Sequence, residues 1–422
     1  MSVRLVKDPA PAWSPPGADP DTSANYEIKV VTPLFGGGAA PKECDPAYPI
    51  GPAAVRGHLR FWWRALVAGR YSSSSKLAED EADLWGSDQK KGQVALSVRL
   101  VQAGKQVDVF SWPIKDGKMV GFPSLLQSAW PRYALFPFQG AKEAGQNTLK
   151  EQPSKATVGV QFELGLRWSG INAATVADVR GAVAAWVAYG GVGARTRRGC
   201  GSLDCAKAGA FDGGALPDHV ETTLLAGAER VLGKPMGDPV AAWNVAVGLY
   251  QDFRQGVPFA RNPGSDPSAP GKPGRSKWPE PDTIRRAVHQ WCPKHTPSAR
   301  PDGFPRADLG LPIVFQFKDK NAGDPNQTCL QGPDSGHLRM ASPVITKAVR
   351  TAGGQWAPMV LVLTAPHAWD LGDLELGGTH RSVTKGEIEI PPGAKVGPIS
   401  GPIREAVLGH AAAKWTAKKE AL

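Results

Sequence analysis

Residues 56–70 read RGHLRFWWRALVAGR, and their spacing predicts a helix. At about 100° per residue, Leu59, Trp62, Trp63 and Leu66 fall on one flank, the expected core face. Arg56, Arg60 and Arg64 follow at i, i+4 and i+8 and form a second stripe beside Trp63 and Val67. Three guanidinium groups in line with no acid among them repel one another unless an anion lies across them, and a phosphate backbone has that form.

A second stretch is expected beside it. Residues 190–202, GGVGARTRRGCGS, hold five glycines and three arginines. Glycines at that density bring the main chain close to a ligand and present N–H groups, while Arg195, Arg197 and Arg198 add fixed charge. Gly191, Gly193 and Gly199 are the expected contact positions. The loop follows a helix instead of opening one and no GK[ST] comes after it, so it fits neither the Walker nor the dinucleotide pattern.

Outward from these, residues 1–24 are rich in Pro, Asp and Ser and read as an extended leader. Residues 26–31 read as a strand that ends at Thr32-Pro33, and Gly36, Gly37 and Gly38 turn the chain away. After the basic helix come an acidic helix (76–84), a strand (94–101), an irregular insertion (about 102–157) and a strand alternating from Val158 to Trp168. A helix capped by Thr175 then runs to Tyr189, and a short strand follows the glycine loop at 202–206. The order β-α-β-β-α-β is the ferredoxin-like plan, shared with RNA recognition motifs. The aromatic stacking motif of those domains is missing, which leaves binding to the loops and the arginine helix.

The second half reads as a helix at 239–255 (Val240, Trp243, Val247 and Tyr250 on one face), a Pro/Gly-rich loop at 257–278 with Lys272, Arg275 and Lys277, and a helix at 282–291. Strands follow at 312–318, 338–346 and 358–363, and a helix from about 401. The expected class is α+β, with two tandem ferredoxin-like (RRM-like) domains and long loop insertions. They divide as 25–210 and a degenerate 211–422.

The 422 residues carry 49 Lys and Arg against 39 Asp and Glu, a net charge of +10, which favours a polyanionic partner. No apolar h-region or run long enough to span a bilayer is present, so a soluble, cytoplasmic protein is expected. Five cysteines, Cys44, Cys200, Cys205, Cys292 and Cys329, lack framework spacing and read as reduced thiols. His289, Cys292 and His295 lie close in sequence, but no fourth ligand is evident and Pro293 interrupts the helix. No metal and no cofactor is assigned.

With these pieces in place the chain resembles the RAMP superfamily, specifically the first RAMP subunit of type III-B (Cmr) CRISPR effector complexes. The resemblance rests on TPLFGGG (32–38), VRGHLRFWWRAL (55–66), LWGS (84–87), the glycine loop, WPEPDTIRR (278–286), LGLPIVFQF (309–317) and LRMASPVI (338–345). It implies a non-catalytic subunit in antiviral defence that holds the 3′ region of the guide (crRNA), the paired target RNA, or both, beside other RAMP subunits. Carried over, the RNA-binding positions are Arg56, Arg60, Arg64, Gly36 to Gly38 and the glycine loop with its arginines.

Two alternatives stand beside this. One is metal-independent RNA cleavage, as in processing nucleases of the same superfamily, with His58 or His337 as general base and Asp45 as a lone loop acid. The other is a scaffold touching only neighbouring subunits, its helix arginines paired with Glu79, Asp80 or Glu81 and Trp62 in the core.

Overall fold

Alternation builds the first strand, β1 (Ser23–Val30): Tyr26, Ile28 and Val30 are buried while Glu27 and Lys29 face out. The structure, a computed structural model, describes residues 22–38, 43–116, 118–143, 148–205, 225, 227–256, 276–297, 303–317, 319–333, 339–351, 353–379, 381–390, 392–396 and 399–422. Most of the leader, His337, Lys272 and Arg275 lie outside them. Labels below cover the two main sheets and the longer helices; other strands are given by residue.

The arginine helix, α1, spans Pro52–Val67, with Pro52 at its first turn where no N–H partner is needed. It buries Val55, Leu59, Trp62, Trp63 and Val67. Full burial of side chains this size contributes roughly 2–3 kcal/mol each, so α1 is fixed by its apolar flank and not by its charges. Then come α2 (Ser74–Trp85), capped by the Ser73 hydroxyl accepting from the Lys76 N–H, and β2 (Val94–Gln102).

The expected strand from Val158 begins later. Gly159 has φ 78°, which breaks the run; Ala156–Val158 pairs with Lys105–Val107 of the insertion, and β3 is Gln161–Trp168. The next helix, α3 (Ala173–Tyr189), is capped by Asn172, whose Oδ1 accepts from the Thr175 N–H, and not by Thr175 itself. It ends at Gly190, and β4 (Leu203–Asp204) follows the glycine loop. The four strands lie in the order β4-β1-β3-β2, all antiparallel.

The second half repeats the plan with β5 (Glu229–Leu232), α4 (Pro239–Gln255), α5 (Glu280–Val288), β6 (Val344–Arg350), β7 (Trp356–Val362), α6 (Ile403–Trp415) and β8 (Lys419–Ala421). The order is β6-β7-β5-β8, again antiparallel. Read from the strand that follows the last helix, both sheets run last-first-third-second. A satellite sheet of Ile313–Phe315, Thr328–Gln331, Leu374–Leu376 and Arg381–Val383, of which the sequence reading held only the first strand, sits on its own small core around Ile284, Phe304 and Leu330.

The two halves share a core. Ile345, Val349, Met359 and Leu361 of β6 and β7 belong to the same buried cluster as Trp62, Trp186 and Tyr189. Lys347 lies at the heart of this contact, fully buried, with Nζ donating to the Gly190 and Val187 carbonyls at the end of α3. Burial pushes its amine down to about 7.

Candidate nucleic-acid interface

The glycine loop does lie against α1, but on the side away from the arginine stripe. His58, Phe61 and Trp62 of α1 line an open cavity of about 140 Å³ together with Gly190, Gly191, Thr196 and Arg197, and Tyr189 and Ile345 complete its lining. Helical geometry places His58 and Trp62 roughly opposite Arg56, Arg60 and Arg64, with Phe61 on the flank between.

The stripe itself finds an acid. Glu81 of α2, buried, accepts from Arg60 Nε and from Arg64 Nη1, both at 2.5 Å. Arg56 donates to the Trp85 carbonyl at 2.7 Å, where the C-terminal end of α2 favours a cation. The alternative pairing of the stripe with Glu79, Asp80 or Glu81 is what the structure shows, at Glu81, and these groups dock α2 onto α1. The physical reason is long-range, since an acid in a different helix enters the stripe. The geometry also links two motifs, because LWGS is the end of α2 that RGHLR holds. Two guanidinium groups on one carboxylate still leave one positive charge unbalanced, and Arg60 and Arg64 remain 35% and 40% exposed.

The loop arginines turn inward. Arg198 is buried; its guanidinium donates to the Val344 carbonyl at 2.7 Å and to Ser342 Oγ at 3.1 Å, and lies 4.3 Å from the Tyr250 ring centre. Trp243 Nε1 donates to the Arg198 carbonyl at 2.6 Å. Arg195, in the left-handed region at φ 62°, donates to the Ala134 carbonyl at 3.2 Å. Burial lowers its pKa. Arg198 is thus a bolt between the halves and Arg195 a tie to the insertion, not the anion cradle expected of them.

Arg197 is the one that borders the cavity. It donates to the Ser342 carbonyl and lies over the Phe61 ring, 5.3 Å from its centre. Burial, with the Arg198 charge second, brings it down to about 10, so it stays charged at neutral pH.

The glycines are explained by close approach. A Cβ on Gly193 (φ 78°) would stand 2.4 Å from the Phe35 carbonyl oxygen, and one on Gly199 (φ 74°) 2.5 Å from Trp243. Gly191 is held as tightly, against the Gly201 carbonyl. Thr32 Oγ1 donates to the Gly199 carbonyl at 2.6 Å, the Gly201 N–H to the Pro33 carbonyl at 2.9 Å, and the Ala194 N–H to the Phe35 carbonyl at 2.7 Å. Gly36 and Gly37 have φ of 73° and 100°, and Gly38 packs on the Glu43 carbonyl. TPLFGGG and the glycine loop are therefore two sides of one knot, with main chain serving main chain.

Of the other candidates, Asp45 Oδ1 accepts from the Ala47 and Tyr48 N–H groups at 2.8 and 3.0 Å, an Asx turn. Trp62 is core, as read. His58 is kept neutral by burial, which lowers its pKa, and stacks on Trp186 with ring centres 6.0 Å apart. Phe61 was missed by sequence reasoning, although His58 and Phe61 at i and i+3 are a legible pair; Thr196 and Ile345 lie in quoted motifs but were not picked out as site residues. Among the described residues, no helix is long and apolar enough to cross a membrane.

Residues 27–204 match the family model for the RAMP superfamily. The CRISPR system Cmr subunit Cmr1-2 of Pyrococcus furiosus is 26% identical over 189 residues, which are 43% of this chain and 93% of that protein. The crystal structure of Cmr1 from Pyrococcus furiosus in its apo form is similar over 94% of this chain and 98% of that one, at 15% identity and a TM-score of 0.46. The cryo-EM structure of the Type III-B Cmr-beta bound to cognate target RNA and AMPPnP is similar over 93% and 99%, at 11% identity and a TM-score of 0.43. At those scores neither likeness speaks to function. The knot of TPLFGGG, α1 and the glycine loop falls within that matched span.

Proposed function

We propose that this chain is a non-catalytic RNA-binding subunit of a type III-B CRISPR ribonucleoprotein, holding the 3′ region of the guide, the paired target RNA, or both, beside other RAMP subunits. The relationship to a Cmr1-2 subunit supports the assembly. One observation carries the RNA reading: an open cavity against α1 that sets an aromatic face, Phe61, beside a charged guanidinium, Arg197, and glycine main chain. Stacking on an aromatic ring with a cation alongside is a sequence-tolerant way to hold single-stranded nucleic acid. Arg60 and Arg64, half-exposed with one shared acid, supply phosphate contacts on the other edge of α1. The shared strand order supports reading the halves as tandem ferredoxin-like domains, divided near residue 210. Arg56, Gly36 to Gly38, Gly191, Gly193, Arg195, Arg198 and Gly199 act by shaping this surface.

Full-length protein mixed with labelled single-stranded RNA tests the reading. Phe61→Ala should weaken binding by about 1–3 kcal/mol, and the RNA should run intact on a denaturing gel. Unchanged binding would remove the cavity from the account. Cleavage products that His58→Ala abolishes would replace this reading with the nuclease one.

A further inference from the structure

Beside the satellite sheet the fold gathers four metal-type donors from two segments. Cys292, His295, Asp319 and Asp324 each offer one atom, and the four atoms lie within 4.8 Å of one another. Cys292 and His295 bracket a short 3-10 turn after α5, and Asp319 and Asp324 bracket another. The turns are pressed together at Gly323 (φ 110°), where a Cβ would stand 3.2 Å from the Trp291 carbonyl oxygen. His289, which the sequence placed beside Cys292 and His295, is not in the group. It ends α5 in the left-handed region, and the carboxylates come from some thirty residues further on.

The arrangement around the imidazole is unusual for a purely protein network. Cys292 Sγ lies 3.1 Å from His295 Nδ1, and Asp324 Oδ2 lies 2.6 Å from the same nitrogen. One ring nitrogen carries at most one proton, and that proton points along one line, so it serves only one of the two well. A cation set among thiolate, carboxylate and the nitrogen lone pair serves all three. The same fact argues against a cysteine nucleophile, since a thiol–imidazole–carboxylate relay needs thiol and acid on opposite ring nitrogens. Asp319 Oδ2 lies 3.8 Å from His295 Nε2, and its side chain, 43% exposed, is the adjustable fourth donor.

Charge and second contacts agree. Arg285, buried, grips Asp324 with Nε and Nη2 at 3.0 Å each, and the Cys292 N–H donates to Asp324 Oδ1 at 3.3 Å. Such outer contacts fix a ligand's direction. A thiolate and two carboxylates call for more positive charge than Arg285 supplies, since Asp282, buried, shares its guanidinium through Nη1 at 3.2 Å, and a dication provides it. Donors about a tetrahedral zinc are separated by roughly 3.3–3.8 Å, given bond lengths of about 2.0–2.3 Å, so the shell closes on an ion with shifts below about one ångström. We propose that Cys292, His295, Asp319 and Asp324 form a zinc-type structural site that staples the turn after α5 to the turn at 319–324.

The test uses full-length protein stripped with chelator and then given Zn²⁺ or Co²⁺ alone. Expected are one equivalent of tightly bound metal, a thiolate-to-cobalt charge-transfer band, and a melting temperature raised by Zn²⁺. Cys292→Ser should abolish the band, and Asp319→Asn should weaken binding at least about tenfold, while His289→Ala and Cys329→Ala match wild type. Asp319 is exposed enough that Asp319→Asn folds even where Cys292→Ser does not. Absence of stoichiometric metal in the wild type, a thiolate band that survives Cys292→Ser, or unaltered affinity in Asp319→Asn would overturn the site.

Discussion

The six arginines picked out by sequence divide into two groups that the fold treats differently. Arg56, Arg60 and Arg64 stand on a helix edge, the latter two more than a third exposed, around a single buried acid. Arg195, Arg197 and Arg198 sit in a glycine knot and spend their donors on carbonyls of the insertion and of β6's approach. The same side chain thus acts as a surface charge in one place and as a hydrogen-bonding bolt in the other. What separates them is the neighbourhood: a helix edge leaves room for solvent and ligand, whereas a loop between two sheets leaves it only where Arg197 borders the cavity.

Substitutions should pull the groups apart. The largest effect belongs to Arg198→Met, expected to cost about 3 kcal/mol in denaturant unfolding, because the Val344 carbonyl and the Tyr250 face lose a buried cation. Arg198→Lys should restore only part, since a single ammonium cannot reproduce the fork. A neutral Arg198→Met would erase the distinction drawn here.

Glu81→Gln comes next and moves stability and binding in opposite directions. Unfolding free energy should fall by about 1–2 kcal/mol, while affinity for single-stranded RNA rises several-fold as Arg60 and Arg64 lose their shared acid. Loss of affinity in this variant would mean that the stripe serves α2 alone.

Lys347 sharpens the account of the shared core. Its amine is near 7 in the folded chain and about 10.4 when unfolded, so between those values the unfolded state binds the extra proton and stability rises with pH. Cys200 and Tyr189, both pushed up to about 12 by burial, act with the opposite sign at higher pH. The rise is therefore to be read between about pH 7 and 9, and Lys347→Met should flatten it. The smallest effect is that of Arg64→Ala, below about 1 kcal/mol in stability, checked by thermal unfolding.

How legible this was depended on distance along the chain. β1, α1 and α4 could be read because a periodic apolar face is a local property; α4 runs over the residues expected, Pro239–Gln255. Gly159, which moves the start of β3, and Asn172, which takes the cap from Thr175, are local signals that were overread. Of the arginines' partners, Glu81 was legible as one of three acids within reach of the helix stripe, whereas Val344, 146 residues from Arg198, was not. The rest of the satellite sheet beyond Ile313–Phe315 was hidden by strands of three or four residues, too short for a period. The cysteine–histidine cluster was hidden by carboxylates on another turn.

The most direct test of the central claim is the salt dependence of RNA affinity for the full-length protein, wild type against Arg60→Gln and Arg197→Gln, each first shown to be folded. The account predicts affinity that falls steeply with salt, lower affinity in both variants whatever the RNA sequence, and a log–log slope shallower by about one in Arg60→Gln. Affinity indifferent to salt, or variants that bind like the wild type, would contradict it.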